Sequence, residues 1–278
     1  MEFLKNPTRN LFFTGKGGVG KTTTSVNLAA SLAATKRRVL LIDLDPQGNA
    51  TMGSGIDKHE LTHSVYDVLT RQCTAEQAIV SGIEGGYHVI GANGDLVAAE
   101  VELMNAIGRE LRLKQALEVI KDRYDFIIID CAPSLSMLTV NGLVAADGVV
   151  IPMQCEYFAL EGLAALMDTI DQVTQTVNPK LHVTGILRTM FDPRNTLATD
   201  VSAELLTHFP DRVFETIIPR NVRLAEAPAH GMPVLLYDKA SRGAMSYLAL
   251  AAELLRRQDS PREVATETIC FLLFPFLH

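Results

Sequence analysis

The stretch FFTGKGGVGKTT contains Gly15-x4-Gly20-Lys21-Thr22, closely spaced glycines followed by a lysine and a hydroxyl. Glycines at this spacing let backbone N–H groups close around phosphate oxygens, and a helix starting there adds its positive end. Lys21 is placed to reach β- and γ-phosphate oxygens, and the Thr22 hydroxyl to ligate Mg2+. The candidate nucleotide cradle is therefore Gly15, Lys16, Gly17, Gly18, Val19, Gly20, Lys21, Thr22 and Thr23. Lys16 is one lysine more than such a loop needs, and on residue type alone it reads equally well as a solvated surface charge.

Nucleotide hydrolysis also calls for carboxylates. VLLIDLDPQGNAT sets Asp43 and Asp45 at the end of one apolar run, and FIIIDCAPS sets Asp130 at the end of another. In an open α/β sheet the carboxyl ends of the strands line the ligand crevice, so all three can converge on the phosphate loop. Asp130 resembles the Walker B aspartate that holds Mg2+, mostly through water. A single Asp at a strand end fits a turn or a helix cap just as well. Three beside a phosphate loop point to metal and water handling.

These groups need a scaffold, and the chain alternates short β-rich runs with longer helical patterns. That is the signature of an α/β fold with a mostly parallel twisted sheet covered by helices on both faces. Strands are expected at Asn10–Thr14, Arg37–Asp43, Tyr87–Ala92, Tyr124–Cys131, Gly148–Met153, Leu181–Met190 and Arg212–Pro219. Several are apolar throughout, as buried parallel strands are. Helical spacing covers Lys21–Thr35, Arg109–Arg123, Leu160–Val177, Thr199–His208 and Arg242–Arg257. In the last, Met245, Leu248, Ala252 and Leu255 share a face, and Arg256 and Arg257 suit the helix C-terminus.

The 278 residues are 47% hydrophobic and 21% charged, ordinary globular composition, with a formal net charge of −7. Nucleic-acid contact therefore requires a local basic patch. Cys73, Cys131, Cys155 and Cys270 lie far apart without a CxxC pair, which argues against a zinc knuckle, a redox dithiol or a disulfide framework and fits a reducing cytoplasm. No signal-peptide pattern or bilayer-length apolar run is present. Without repeat or linker, residues 1–258 read as a single P-loop domain. Residues 259–278 form an extension of different character, in which eight of the last ten residues are apolar. Its bland reading is a packed or loose terminus; an interfacial anchor would lack basic flanks and would carry Pro275 in its middle.

KGGVGKTT, Lys16 to Thr23, resembles the deviant Walker A loop of the ParA/MinD class of dimerising ATPases. VLLIDLDPQGNATMGSGI, YDFIIIDCAPSLSMLTVNGLVAAD, VIPMQCEYFALEGL, TMFDPRN and TIIPRNVRLAEAPAHGMPVLLYDKASRGAMSYLALAAEL resemble its chromosome- and plasmid-partition branch, ParA. The resemblance implies ATP and Mg2+ as cofactors, with slow, partner-stimulated hydrolysis to ADP and phosphate. It implies that Lys16 reaches across an ATP-dependent homodimer to the partner's phosphates, much as an arginine finger does. It further implies that Asp45 positions the attacking water, that Asp43 supports the magnesium shell, and that Pro219 and Asn221 line the adenine pocket. Arg194 and Arg223 match DNA-contacting positions, with Arg188, Arg220, Lys239 and Arg242 as possible enlargements of the patch. Such a patch binds double-stranded DNA non-specifically. The implied partners are that DNA and a ParB-type centromere-binding protein, and the implied place is the nucleoid.

Two departures qualify the match. Thr14 and Gly15 stand where the family usually carries Asn and Gln, and FLKNPTRNLFFTGKGGVGKT is similar to the opening of the arsenite-transport ATPases, ArsA. The competing readings are a MinD-like division-site regulator, which needs a basic amphipathic C-terminal helix, and an ArsA-like pump, which needs a duplicated domain and a metalloid site. An iron–sulfur carrier of the nitrogenase-reductase kind needs two suitably placed cysteines per chain. Burial beside strands explains Cys131 and Cys155 more simply.

Overall fold

A computed structural model describes residues 9–13, 18–134, 136–156 and 159–259. Eight strands form one sheet: β1 (Arg9–Phe13), β2 (Val39–Leu44), β3 (Ile79–Val80), β4 (His88–Ile90), β5 (Phe126–Cys131), β6 (Gly148–Gln154), β7 (His182–Phe191) and β8 (Val213–Pro219). Their order is β3-β4-β2-β5-β1-β6-β7-β8. Every pairing is parallel except β3 with β4. β2 and β5 are buried along their whole lengths, as their unbroken runs of Leu and Ile require. Chain progress reverses direction across the sheet at β1, and a crevice opens above the carboxyl ends at such a switch point.

The seven expected strands all form, with shifts of a few residues at their ends. β3, a two-residue antiparallel edge, was not anticipated, since two residues carry no periodicity. Among the expected helices, Lys21–Ala34, Ala159–Thr176, Thr196–His208 and Arg242–Asp259 are present. The third starts three residues early because Asn195 caps it, its side chain accepting from Ala198 N. The single helix expected over Arg109–Arg123 is instead a 3-10 turn, the helix Arg112–Glu118 and a second 3-10 turn. It stops before the β-branched pair Val119–Ile120, where the chain must turn to enter β5.

The core face of the Arg242–Asp259 helix also differs from expectation. It is formed by Ala244, Tyr247, Leu250, Ala251 and Leu254, whereas Met245 is 57% exposed. Leu248, Ala252 and Leu255 are half-buried flanks of that face. The register was misread by one residue because Tyr247 and Glu253 carry polar atoms. Tyr247 is buried by sharing a hydrogen bond with Thr24, 3.0 Å apart. Glu253 is buried by accepting from the backbone N–H groups of Glu215 and Thr216, each at 2.8 Å. A polar group with its partners supplied is as acceptable in a core as an apolar one.

Candidate nucleotide and magnesium site

The Lys21–Ala34 helix begins at Gly20, whose φ of 81° lies in the left-handed region where a side chain is strained. No side chain caps this helix and its first turn holds no acid. Its leading N–H groups are thus left to an external acceptor, the arrangement that binds phosphate. Val19 and Gly18 lead into it, Gly18 also with positive φ. Gly15, Lys16 and Gly17 lie outside the described residues.

Lys21 is 8% exposed. Burial pushes its pKa down, opposed by the negative charge of Asp130 and Asp45. A cation held this dry has much to gain from an anionic ligand. Asp130, at the end of β5, accepts from Thr22 Oγ1 at 2.8 Å and from Ser25 Oγ at 2.9 Å. Thr23 sits one residue on, its carbonyl accepting from Asn27 Nδ2 at 2.7 Å. Asp130 is directly opposite Asp43 in the β2–β5 register. Burial and the facing Asp43 raise the Asp130 pKa far above the usual carboxylate range. Burial likewise lifts Asp43, to about 7, although Thr51 and Asp45 donate to it. Two carboxyls in one dry corner, each accepting from a threonine hydroxyl, form a hard-oxygen donor set that fits Mg2+.

The two β2 aspartates differ in environment. Asp43 is fully buried, its Oδ2 taking Thr51 N at 2.8 Å and Thr51 Oγ1 at 2.7 Å, its Oδ1 taking Asp45 N at 3.2 Å. Thr51 Oγ1 in turn accepts from Ala92 N at 2.9 Å. Asp43 is therefore already wired to the backbone around β2. Asp45 is half-buried, and its Oδ1 accepts from Gln47 N at 2.9 Å. It stands at the mouth of the crevice.

On the other side of β1, Thr189 Oγ1 donates to Val19 O at 2.8 Å, fastening the end of β7 to the phosphate loop. Met190, with φ 48°, follows directly, and its Cε lies 3.6 Å from where a Cβ on Gly20 would be. Phe191 is opposite Pro219 in the β7–β8 register, so the loops after these strands are neighbours. Pro219 and Asn221 are half-buried there. Asn221 Oδ1 caps the Val222–Glu226 helix through Leu224 N at 3.3 Å, which leaves its amide N–H2 as the group available to a ligand.

Arg194 and Arg223 follow β7 and β8. Both are exposed, and both have carboxylate partners: Arg194 pairs with Asp192 at 2.8 Å, and Arg223 with Glu226 at 2.8 Å and Asp238 at 3.3 Å. Arg220, Lys239 and Arg242 are exposed too. Arg188 is not part of any surface patch: it is 6% exposed and donates inward to Ser202 Oγ and to the carbonyls of Phe214 and Glu215. Its position on β7 points it under β8, and the sequence offers no sign of that.

Residue patterns alone did not single out Ser25, Thr51 or Thr189. Ser25 was discoverable, since it lies one helical turn from Thr22 and so shares its face. Thr51 and Thr189 reach their partners across separate elements, and no spacing signals that. Cys131 and Cys155 are buried, at 1% and 4% exposure, as expected of cysteines beside strands. Among the described residues no helix is long and apolar enough to cross a membrane.

Residues 11–183 match the family model described as an AAA domain. The chain is 53% identical over 239 residues to the sporulation initiation inhibitor protein Soj of Bacillus subtilis, covering 86% of this chain and 94% of Soj. It is 48% identical over 256 residues to the chromosome partitioning protein ParA of Caulobacter vibrioides, covering 91% and 96%. Among solved structures, cobyrinic acid a,c-diamide synthase from Mycobacterium smegmatis, with bound ATP analogue and magnesium, is similar at a TM-score of 0.80 and 39% identity, covering 93% and 99%. The cell-division ATPase MinD of Pyrococcus furiosus, at 23% identity and a TM-score of 0.69 over 90% and 99%, shares the fold. With sequence relatives this close over nearly their whole lengths, the chain belongs to the ParA/Soj family of partition P-loop ATPases.

Proposed function

We propose that this protein is an ATP-driven partition switch. ATP promotes a sandwich homodimer, the dimer binds double-stranded DNA without sequence preference at the nucleoid, a ParB-type partner stimulates slow hydrolysis, and ADP-bound monomers detach. The observation that carries this reading is the uncapped N-terminus at Gly20, facing Lys21 and the Thr22–Asp130–Ser25 cluster.

In this reading the loop and Lys21 hold the β- and γ-phosphates. The Thr22 hydroxyl, which donates to Asp130, and the Asp130 and Asp43 carboxylates are the groups that would hold Mg2+. Magnesium, when bound, neutralises charge developing on the transferred phosphoryl oxygens. Asp45 orients the attacking water with Oδ2, since Oδ1 is occupied by Gln47 N. Pro219 packs against the base and the Asn221 amide donates to it. Lys16 supplies positive charge in trans to the facing nucleotide, so dimerisation and the γ-phosphate become linked. Arg194 and Arg223 contact phosphates of DNA once two copies are joined.

Binding to a random duplex, measured with ATP, ADP and no nucleotide in an Asp45→Ala background that blocks turnover, tests the switch. Binding only with ATP, weakening as salt rises, supports it. Lys16→Ala is expected to keep monomer nucleotide binding and lose both the dimer and DNA binding; Arg223→Glu is expected to keep the dimer and lose DNA. Equal DNA binding in all nucleotide states would overturn the proposal.

A further inference from the structure

Away from the nucleotide crevice, a surface cavity of about 410 Å³ lies between the end of the Val65–Thr70 helix, the turn that follows it and the Arg112–Glu118 helix. None of its lining residues belongs to the phosphate site. It is lined by two arginines, Arg71 and Arg112, and by no carboxylate. Of the nearby acids, Glu76 pairs with Arg123 at 2.6 Å, whereas Asp67 accepts from Ser64 N and Oγ and keeps a charge that is felt at Cys73.

Arg71 occupies the left-handed C-cap of its helix, φ 64°, a position where glycine would be free of strain. Its side chain crosses to Gln115 Oε1, 2.8 Å away on the opposite wall. Arg112 differs: its Nε is buried without any acceptor, and its guanidinium forms no hydrogen bond or ion pair among the described residues. A guanidinium partly withdrawn from water and left without a counter-charge is costly, and an anion removes that cost. Beside it stands Val119, 76% exposed, which offers an apolar surface within the same cavity.

We infer that this cavity binds a small organic oxyanion, its carboxylate or phosphate on Arg112 and Arg71 and its apolar body against Val119 and Ala116. The volume suits a metabolite-sized molecule. Planar guanidinium forks match both oxyanions, so the chemistry is shared and the test separates the two.

Cys73, which lines the same cavity, is the reporter. The full chain carrying Cys270→Ser is held saturated with a non-hydrolysable ATP analogue, which keeps the phosphate site filled. The rate of Cys73 alkylation is then followed by mass spectrometry in inorganic phosphate, citrate or chloride at equal ionic strength. A saturable slowing of about threefold or more by phosphate or by citrate is expected, as occupancy of a cavity of this size would shield the thiol. The slowing should vanish in Arg112→Gln and weaken in Arg71→Gln, so either variant serves if the other misfolds. Slowing by phosphate alone assigns a phosphate ligand, and by citrate alone a carboxylate. No saturable slowing by either anion, or undiminished slowing in both variants, overturns the inference.

Discussion

Arg194 and Arg223 reach solvent with their charges partly cancelled by Asp192, Glu226 and Asp238. In the proposed switch a duplex would compete with these carboxylates for each guanidinium, so the acids would set the strength of the DNA contact. Asp192→Asn, which leaves the backbone turn in place and removes the charge, is expected to tighten ATP-dependent DNA binding severalfold at low salt, the gain shrinking as salt rises. Unchanged affinity would mean that Arg194 does not touch the duplex. A second residue-scale consequence concerns Asp130. Its carboxyl is fully buried and its pKa is raised by burial and by Asp43, so folding favours its protonated form although Lys21 opposes the shift. The folded state then binds more protons than the unfolded state above about pH 4, so this group costs progressively more stability as pH rises toward its folded pKa. Asp130→Asn should therefore stabilise the protein without nucleotide or Mg2+ at pH 8, and by little at pH 4.5. Denaturant melts at the two pH values check it; equal gains at both would mean the carboxyl is ionised in the fold.

At the scale of elements, β8 depends on a group from the helix beside it. Glu253 accepts from Glu215 N and Thr216 N and pairs with Arg257, which lies over the Phe214 ring at 4.5 Å from its centroid. Burial pushes the Glu253 pKa up, but the Thr216 and Glu215 bonds and Arg257 outweigh it, and the net shift is downward. A depressed carboxylate contributes stability that is fully present above its unfolded pKa and is lost as pH falls through its folded pKa. Glu253→Gln is expected to cost about 1–3 kcal/mol at pH 7, from weakened charge-assisted bonds, and almost nothing near pH 3. A loss that persists undiminished in acid would show that packing, not charge, holds the contact. This element also shows what the sequence could reveal. Strands such as VLLIDL and FIIIDC were legible because burial on both faces demands unbroken apolar runs, and the carboxylates at their ends followed from parallel topology. The short helices Asn49–Gly53, Val65–Thr70, Leu96–Met104 and Met137–Ala145 were passed over, most of them too brief for a helical period to emerge. The Arg242–Asp259 face was displaced, and Arg188 was read as a surface charge, for one reason: a polar side chain satisfied by a distant strand looks the same in sequence as one satisfied by water.

Across the whole molecule, the nucleotide loop and the arginines proposed to meet DNA occupy different parts of the sheet, β1 at the switch point and β7–β8 toward the edge. A switch needs a physical link between them, because ATP shifts DNA affinity only through contacts that differ between states. The shortest link runs from Val19 O through Thr189 Oγ1 into Met190, whose left-handed backbone turns the chain into the loop bearing Asp192 and Arg194. The same loop is tied to β8 by Arg220 N on Phe191 O. In the proposed switch, movement of the phosphate loop around a γ-phosphate would therefore pull on a hydroxyl that is continuous with the Arg194 loop. Thr189→Val keeps the shape of the side chain and deletes only this bond. It is expected to leave nucleotide affinity of the monomer within about threefold of the original, a net hydrogen bond being worth about 0.5–1.5 kcal/mol. The ratio of DNA affinities in ATP and ADP should fall much further, measured in the Asp45→Ala background. If that ratio holds while nucleotide affinity drops, Thr189 only braces the loop and coupling runs through the dimer interface instead; if the ratio collapses with nucleotide binding intact, the bond is the route by which occupancy at β1 reaches the arginines beyond β7.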